Sequence, residues 1–165
     1  ISEVAFRDKI LTWESLPAWR ARVRDAGERL VVTNGCFDLL HVGHATYLEA
    51  ARALGDRLLV GVNSDASVRR LKGPTRPVNL EEDRAALIAA LGCVDAVCLF
   101  DETSAERFLA WTQPDLWAKG ADYTLETLNQ AERFTVEKAG GTIAFLTLVP
   151  GRSTTATLKR LEGST

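Results

Sequence analysis

The sequence predicts an α/β fold: a doubly wound, Rossmann-like, five-stranded parallel sheet with helices on both faces. Three observations carry that expectation. Five strand-sized apolar runs alternate with stretches of helical periodicity, and parallel neighbours need such crossovers. The runs are nearly continuous hydrophobic segments, as strands covered on both faces are. Each run gives way to a segment rich in glycine and polar residues, where open α/β sheets bind their ligands.

Taken in order, SLPAWRARVRDAG offers Ser15 as a helix cap, Pro17 in the first turn and Gly27 as a stop. Residues 1–27 therefore form an N-terminal segment and helix ahead of the sheet. RLVVTNG is the first strand, and GHATYLEAARALG is a helix with Tyr47, Leu48, Ala51 and Leu54 on one face. RLLVGVNSD is the second strand, followed by a short helix, ASVRRL, and the loop KGPTRPVN. Asn79 and Glu82 have capping-box spacing for LEEDRAALIAALG, VDAVCLF is the third strand, and Thr103 with Glu106 repeats the capping-box spacing for a helix through Trp111. PDLWAKG is the fourth strand, LETLNQAERFTVEKAGG a helix with a glycine stop, and TIAFLTL the fifth strand. A last helix begins near Ser153.

A length of 165 residues suits one domain over 1–165. With 46% hydrophobic residues and a net charge of -2, the composition is that of an ordinary globule without the basic excess of a nucleic-acid binder. No apolar run reaches the length of a membrane helix and no secretory leader is visible, so a cytoplasmic protein is expected. The opening at Ile1 instead of Met suits either a chain whose first residues are missing or a piece of a longer polypeptide. Cys36, Cys93 and Cys98 form no CxxC pair and lie in or beside apolar segments, the pattern of reduced, buried thiols.

Both histidines of the chain, His41 and His44, stand in one turn of VTNGCFDLLHVGHATYLEAA, where the first strand passes into its helix. The start of that helix aims free N–H groups and the positive end of its dipole above the strand, and phosphate is the usual guest. Gly35 and Gly43 permit close backbone approach there. Zinc is the alternative, but it wants a third ligand, and no further histidine or paired cysteine exists.

The run GCFDLLHVGH resembles the HxGH signature of the nucleotidyltransferase superfamily, and GRSTTATLK resembles its second signature, ISSTxxR or, in the cytidylyltransferase-like branch, ISTTxxK. Together TNGCFDLLHVGH, GVNSDASVRRLKGPTRPVN, DLWAKGADY and STT are most similar to the D-glycero-β-D-manno-heptose 1-phosphate adenylyltransferase family, from about Gly27 to Leu161. The resemblance implies transfer of AMP from ATP, with Mg²⁺, to heptose 1-phosphate, giving ADP-heptose for lipopolysaccharide precursors and releasing pyrophosphate. It also implies a sugar kinase partner, fused or separate, and admits a homodimer.

By the same resemblance His41, His44 and Lys72 are the catalytic residues, acting on the reacting phosphates. Thr33, Asn34, Gly35, Phe37 and Gly43 would bind the nucleotide, with Lys119, Gly120 and Asp122 near ribose and base. Ser153, Thr154, Thr155 and Lys159 would meet the triphosphate. Asp38, Asn63, Asp65, Arg69, Arg76 and Arg84 are candidates for the sugar phosphate; the alternatives are solvated surface arginines and structural aspartates. No metal-contacting side chain is assigned.

The chain departs from the family patterns in three places. The R-T-E-G run of glycerol-phosphate cytidylyltransferases, whose arginine helps hold cytosine, is replaced by Leu148, Val149, Pro150 and Gly151, which favours ATP over CTP. The basic position of the second signature falls on Leu158, with Lys159 one step later, and a family glycine is Ala121. Two other readings stay open: a cytidylyl- or adenylyltransferase acting on another small phosphate, and a nucleotide-binding module without turnover.

Overall fold

A computed structural model describes residues 5–162. The strands are β1 (Ile10–Leu11), β2 (Leu30–Gly35), β3 (Arg57–Asn63), β4 (Ala96–Phe100), β5 (Leu116–Gly120) and β6 (Thr142–Leu146). The helices are α1 (Leu16–Asp25), α2 (Val42–Arg52), α3 (Asp65–Lys72), α4 (Glu81–Ala90), α5 (Glu106–Thr112), α6 (Gln130–Lys138) and α7 (Thr154–Glu162). The strands form one parallel sheet in the order β1-β4-β3-β2-β5-β6.

Side chains alternate across the sheet, so Leu30 and Val32 join the core on the face with Leu16, Phe108 and Val136, from α1, α5 and α6. Val31 joins the opposite face with Leu48, Ala51, Ile88 and Ala89, from α2 and α4. The chain winds from β2 outward to β3 and β4, then returns to the other flank of β2 for β5 and β6. That reversal beside β2 is the topological switch point at which doubly wound sheets bind ligands.

The predicted fold class is the observed one, and the sheet carries one strand more than five. β1 is two residues long and pairs only Ile10↔Val97 and Leu11↔Cys98. A segment so short has no periodicity to read. Lys9 holds it in place by donating to the Leu91 and Val94 carbonyls.

Neither predicted capping box forms, because tertiary partners claim the capping groups. α4 starts after Leu80 without a side-chain cap, while Asn79 donates through its side chain to the Asp38 carbonyl and through its amide to Asp38 Oδ1. α5 starts at Glu106, not near Thr103; the Thr103 hydroxyl accepts from Arg70 Nε, and Glu132 Oε1, from another helix, accepts the Ala105 amide. α6 begins only at Gln130, where Asn129 Oδ1 accepts from the Ala131 and Glu132 amides, so LETLN lies outside the helix.

Candidate active site

A cavity of about 350 Å³ opens above the carboxyl ends of β2 and β5. Its walls come from the β2–α2 junction, the end of β5, the segment leading into α7, and Lys72 at the last position of α3.

His41 is the N-cap residue of α2, in extended conformation, and His44 lies in the first turn. This spacing brings the two rings face to face, with centroids 3.9 Å apart and planes 21° from parallel. Gly43 makes the approach feasible: a Cβ there would stand 2.9 Å from His41 Nδ1 and 3.2 Å from Arg152 Cβ. Phe37, held at φ 47, puts its ring edge-on to His44 with centroids 5.3 Å apart. A positive φ at a bulky residue is strained by about 1–3 kcal/mol, a cost that tends to collect at functional sites.

The Nδ1 atoms of both histidines are buried and have no hydrogen-bond partner among the described residues. Buried polar atoms are ordinarily satisfied, so an orphaned pair in a cavity wall points to a ligand. Burial, then the charge of Arg152, holds the His41 pKa below its usual value. Burial, then His41 and Lys72, lowers that of His44 to about 4. An anion placed against the rings opposes both shifts.

This has a consequence for stability. The folded protein binds a proton at His44 less readily than the unfolded chain, so the stability of the neutral ring is complete above the ordinary value of 6.5 and is lost as pH falls through about 4. Thermal unfolding at pH 7 and pH 4.5 is expected to show a smaller drop in Tm for His44→Gln than for the native protein. Equal drops would contradict the assignment.

The rest of the predicted nucleotide set, Thr33 and Lys159 apart, is brought to the same cavity. Asn34 and Gly35 line it from the end of β2, and Asn34 Oδ1 accepts from Trp117 Nε1 at 3.0 Å. Lys119 is half-buried, with Nζ 4.9 Å from the Trp117 ring and 4.7 Å from that of Tyr123; burial lowers its pKa. Gly120 lets Asp122 and Leu148 pack close: a Cβ there would lie 2.5 Å from Asp122 Oδ1 and 3.1 Å from Leu148 Cδ2, and those side chains would have to shift. Leu148 and Val149 supply an apolar wall.

At the start of α7, Ser153 Oγ accepts the Ala156 amide and Thr154 Oγ1 donates to the Leu39 carbonyl, tying this segment to the histidine turn. Thr155 lines the cavity beside them. Lys159 is exposed on α7, off the cavity wall.

Thr33 is buried behind the cavity, and its hydroxyl bonds the Ala118 carbonyl and Tyr47. The sugar-phosphate candidates divide. Asp38 reaches the wall, but its carboxylate is engaged by Arg76 Nε at 2.6 Å and by the Val78 and Asn79 amides. Burial opposes its ionisation most strongly as a single influence, yet these donors together hold its pKa below the ordinary value. Asp38 and Arg76 thus pin the loop after Lys72 to the β2–α2 junction.

Arg84 is fully buried, neither on the surface nor in the cavity wall. It donates to the carbonyls of Asn79, Cys36 and Asn63 and to Asp65 Oδ1. Asn63 turns its amide to Ser67, while Asp65 and Arg69 line a separate cleft above β3 and β4, with Trp13 and Asp101.

Sequence reasoning passed over Arg152, Tyr47 and Cys36, all of which line the cavity. Arg152 stands immediately before the Ser-Thr-Thr triplet, and that adjacency was the signal available. Tyr47 sits on the apolar face of α2, and its hydroxyl donates to the Ala118 carbonyl at 2.9 Å, fixing α2 against β5.

Fold and site define an α/β domain with a crevice at its switch point, lined by an HxGH turn and a Ser-Thr-Thr helix start. Residues 32–151 match the cytidylyltransferase-like family, and the chain belongs to it. It is 52% identical over 155 residues to the bifunctional protein HldE of Methylobacillus flagellatus, covering 93% of this chain and 31% of that protein. It is 49% identical over 162 residues to the HldE of Mesorhizobium japonicum, covering 98% and 32%. The chain spans about a third of the length of these curated relatives. A crystal structure of the lipopolysaccharide core biosynthesis protein from Thermoplasma volcanium superposes with a TM-score of 0.60 at 33% identity, covering 74% of this chain and 98% of that one.

Proposed function

We propose that this domain is an adenylyltransferase that joins ATP and D-glycero-β-D-manno-heptose 1-phosphate to give ADP-heptose and pyrophosphate. The observation that carries the reading is the stacked His41–His44 pair with orphaned Nδ1 atoms, in one cavity with Lys72, Lys119 and Arg152. Five groups able to carry positive charge around one crevice suit a triphosphate and an incoming phosphate. The sugar is read from the motif resemblance; the solved relative named for lipopolysaccharide core biosynthesis supports it. Relatives called bifunctional, whose remaining length holds room for a second activity, support a sugar kinase as partner. Free Cys36, Cys93 and Cys98 suit a reducing cytoplasm, and no described helix is long and apolar enough to cross a membrane.

In the proposed reaction a phosphate oxygen of the sugar attacks the α-phosphorus in line. Its new P–O bond forms as the bond to the bridging oxygen breaks, and the electron pair leaves with pyrophosphate. No covalent enzyme intermediate is needed, so catalysis is positioning plus stabilisation of developing charge. His44 and His41 face the reacting phosphates, and the Ser153–Thr155 segment presents hydroxyls and helix-start amides. Mg²⁺ enters as part of the substrate MgATP: no group of three His, Cys, Asp or Glu side chains is placed to hold a metal among the described residues, and Mg²⁺ commonly stays on substrate phosphates with several waters.

The test is pyrophosphate release from MgATP with and without heptose 1-phosphate. Release that depends on the sugar phosphate, with ADP-heptose as co-product, is expected; no release with any of a panel of sugar 1-phosphates would refute the reading. A second expectation concerns Lys72. Lys72→Ala is expected to lower kcat/KM by about tenfold or more, as loss of a charge-assisted contact does, whereas Arg22→Ala, on the exposed side of α1, should leave it within about twofold. Equal, mild effects in steady-state assays would make the Lys72 segment a solvated connection only.

A further inference from the structure

In this chain the basic position of the second family signature falls on Leu158, and Lys159 beside it is exposed and does not line the cavity. Another cation occupies the site. Arg152 lies one residue ahead of Ser153 and lines the cavity. Its Cβ and His41 Nδ1 flank one spot, 3.2 Å and 2.9 Å from where a side chain on Gly43 would begin, so Arg152 stands at the His41 end of the stacked pair. Lys72 lines the same cavity from a different element, the last position of α3, and its charge lowers the pKa of His44 where that of Arg152 lowers the pKa of His41. Among the described residues neither cation has an ion-pair partner. The cavity therefore has a polarity, running from Lys72 through His44 and His41 to Arg152.

We propose that Arg152 is the cation that holds the leaving pyrophosphate, with the α-phosphate at the His44 and Lys72 end. This rests on the nucleotidyl-transfer reading above. When the bond to the bridging oxygen breaks, that oxygen keeps the electron pair and negative charge grows on pyrophosphate. A guanidinium meets two phosphate oxygens at once, which suits it to that end of the site. Arg152 is exposed, so its side chain is free to follow the departing group.

Calorimetric titration of Mg-pyrophosphate and, separately, of AMP into the native protein, Arg152→Ala, Arg152→Lys and Lys159→Ala tests the proposal. AMP carries only the α-phosphate and probes the opposite end. Arg152→Ala is expected to weaken pyrophosphate by about tenfold or more, the loss typical of a hydrogen bond to a charged group, and to leave AMP within about twofold. Arg152→Lys should recover part of the loss, because charge returns without the fork. Equal losses for both ligands, as a merely structural role would give, overturn the proposal. So do unaltered pyrophosphate binding in Arg152→Ala, a larger loss in Lys159→Ala, or no binding of pyrophosphate by the native protein. None of these titrations needs the sugar, so absence of ADP-heptose formation in an assay overturns the sugar assignment and leaves the Arg152 result standing.

Discussion

His41→Ala and His44→Ala are each expected to lower turnover by about two to four orders of magnitude, the range for removing a group that stabilises charge or handles a proton in the transition state. The rings stack at 3.9 Å, and each leaves a buried Nδ1 without a partner among the described residues. Both rings line the cavity and neither Nδ1 holds a hydrogen bond that the fold would lose, so circular dichroism and Tm near neutral pH should change little. The two losses should also fail to add: once one ring is gone, the other loses the neighbour that orients it, and groups acting as a unit are strongly non-additive. Near-native turnover in both single variants, measured by pyrophosphate release, would remove the histidines from the chemistry.

Arg84→Ala is expected to be the most destabilising change near the site. Arg84 is fully buried, ties three backbone carbonyls to Asp65 Oδ1 at 2.9 Å, and so joins the β2–α2 junction, the end of β3 and the start of α4. Truncation strands those acceptors and leaves a carboxylate without its cation, which typically costs about 3–5 kcal/mol. At this chain length that corresponds to a fall in Tm on the order of 10 °C. Arg84→Lys should rescue only part of it, because a single ammonium cannot reproduce donation along the edges of a planar fork. Chemical denaturation of the three proteins checks this, and a loss below about 1 kcal/mol for Arg84→Ala would contradict it.

The contrast between these residues shows what could be read from the chain. The histidines were legible because both lie in one turn at a strand-to-helix junction, and the Ser153–Thr155 triplet for the same reason. Five strands were legible because burial on both faces leaves long apolar runs, whereas Ile10–Leu11 is defined only by its partner β4. Arg84 looked like a surface or phosphate-binding arginine. Its burial depends on carbonyls from three separated segments that no local pattern connects. The same long-range competition moved Asn79 from capping α4 to anchoring on Asp38, and drew Tyr47 from an ordinary core face to a bond with Ala118, 71 residues away.

Competition between ATP and CTP in one reaction with heptose 1-phosphate tests the proposed adenylyl transfer. Leu148 stands where the cytidylyltransferases carry arginine, and in the cavity wall its Cδ atoms lie 3.1 and 3.2 Å from where a side chain on Gly120 would begin. A cytosine there would lack a hydrogen-bond donor, at a cost of about 1–3 kcal/mol, while the apolar wall suits a purine face. We expect ADP-heptose to exceed CDP-heptose at least about tenfold at equal nucleotide concentrations, a ratio that needs only about 1.4 kcal/mol of differential transition-state binding. A predominance of CDP-heptose on chromatography of the products would make the domain a cytidylyltransferase and rule out the adenylyl assignment.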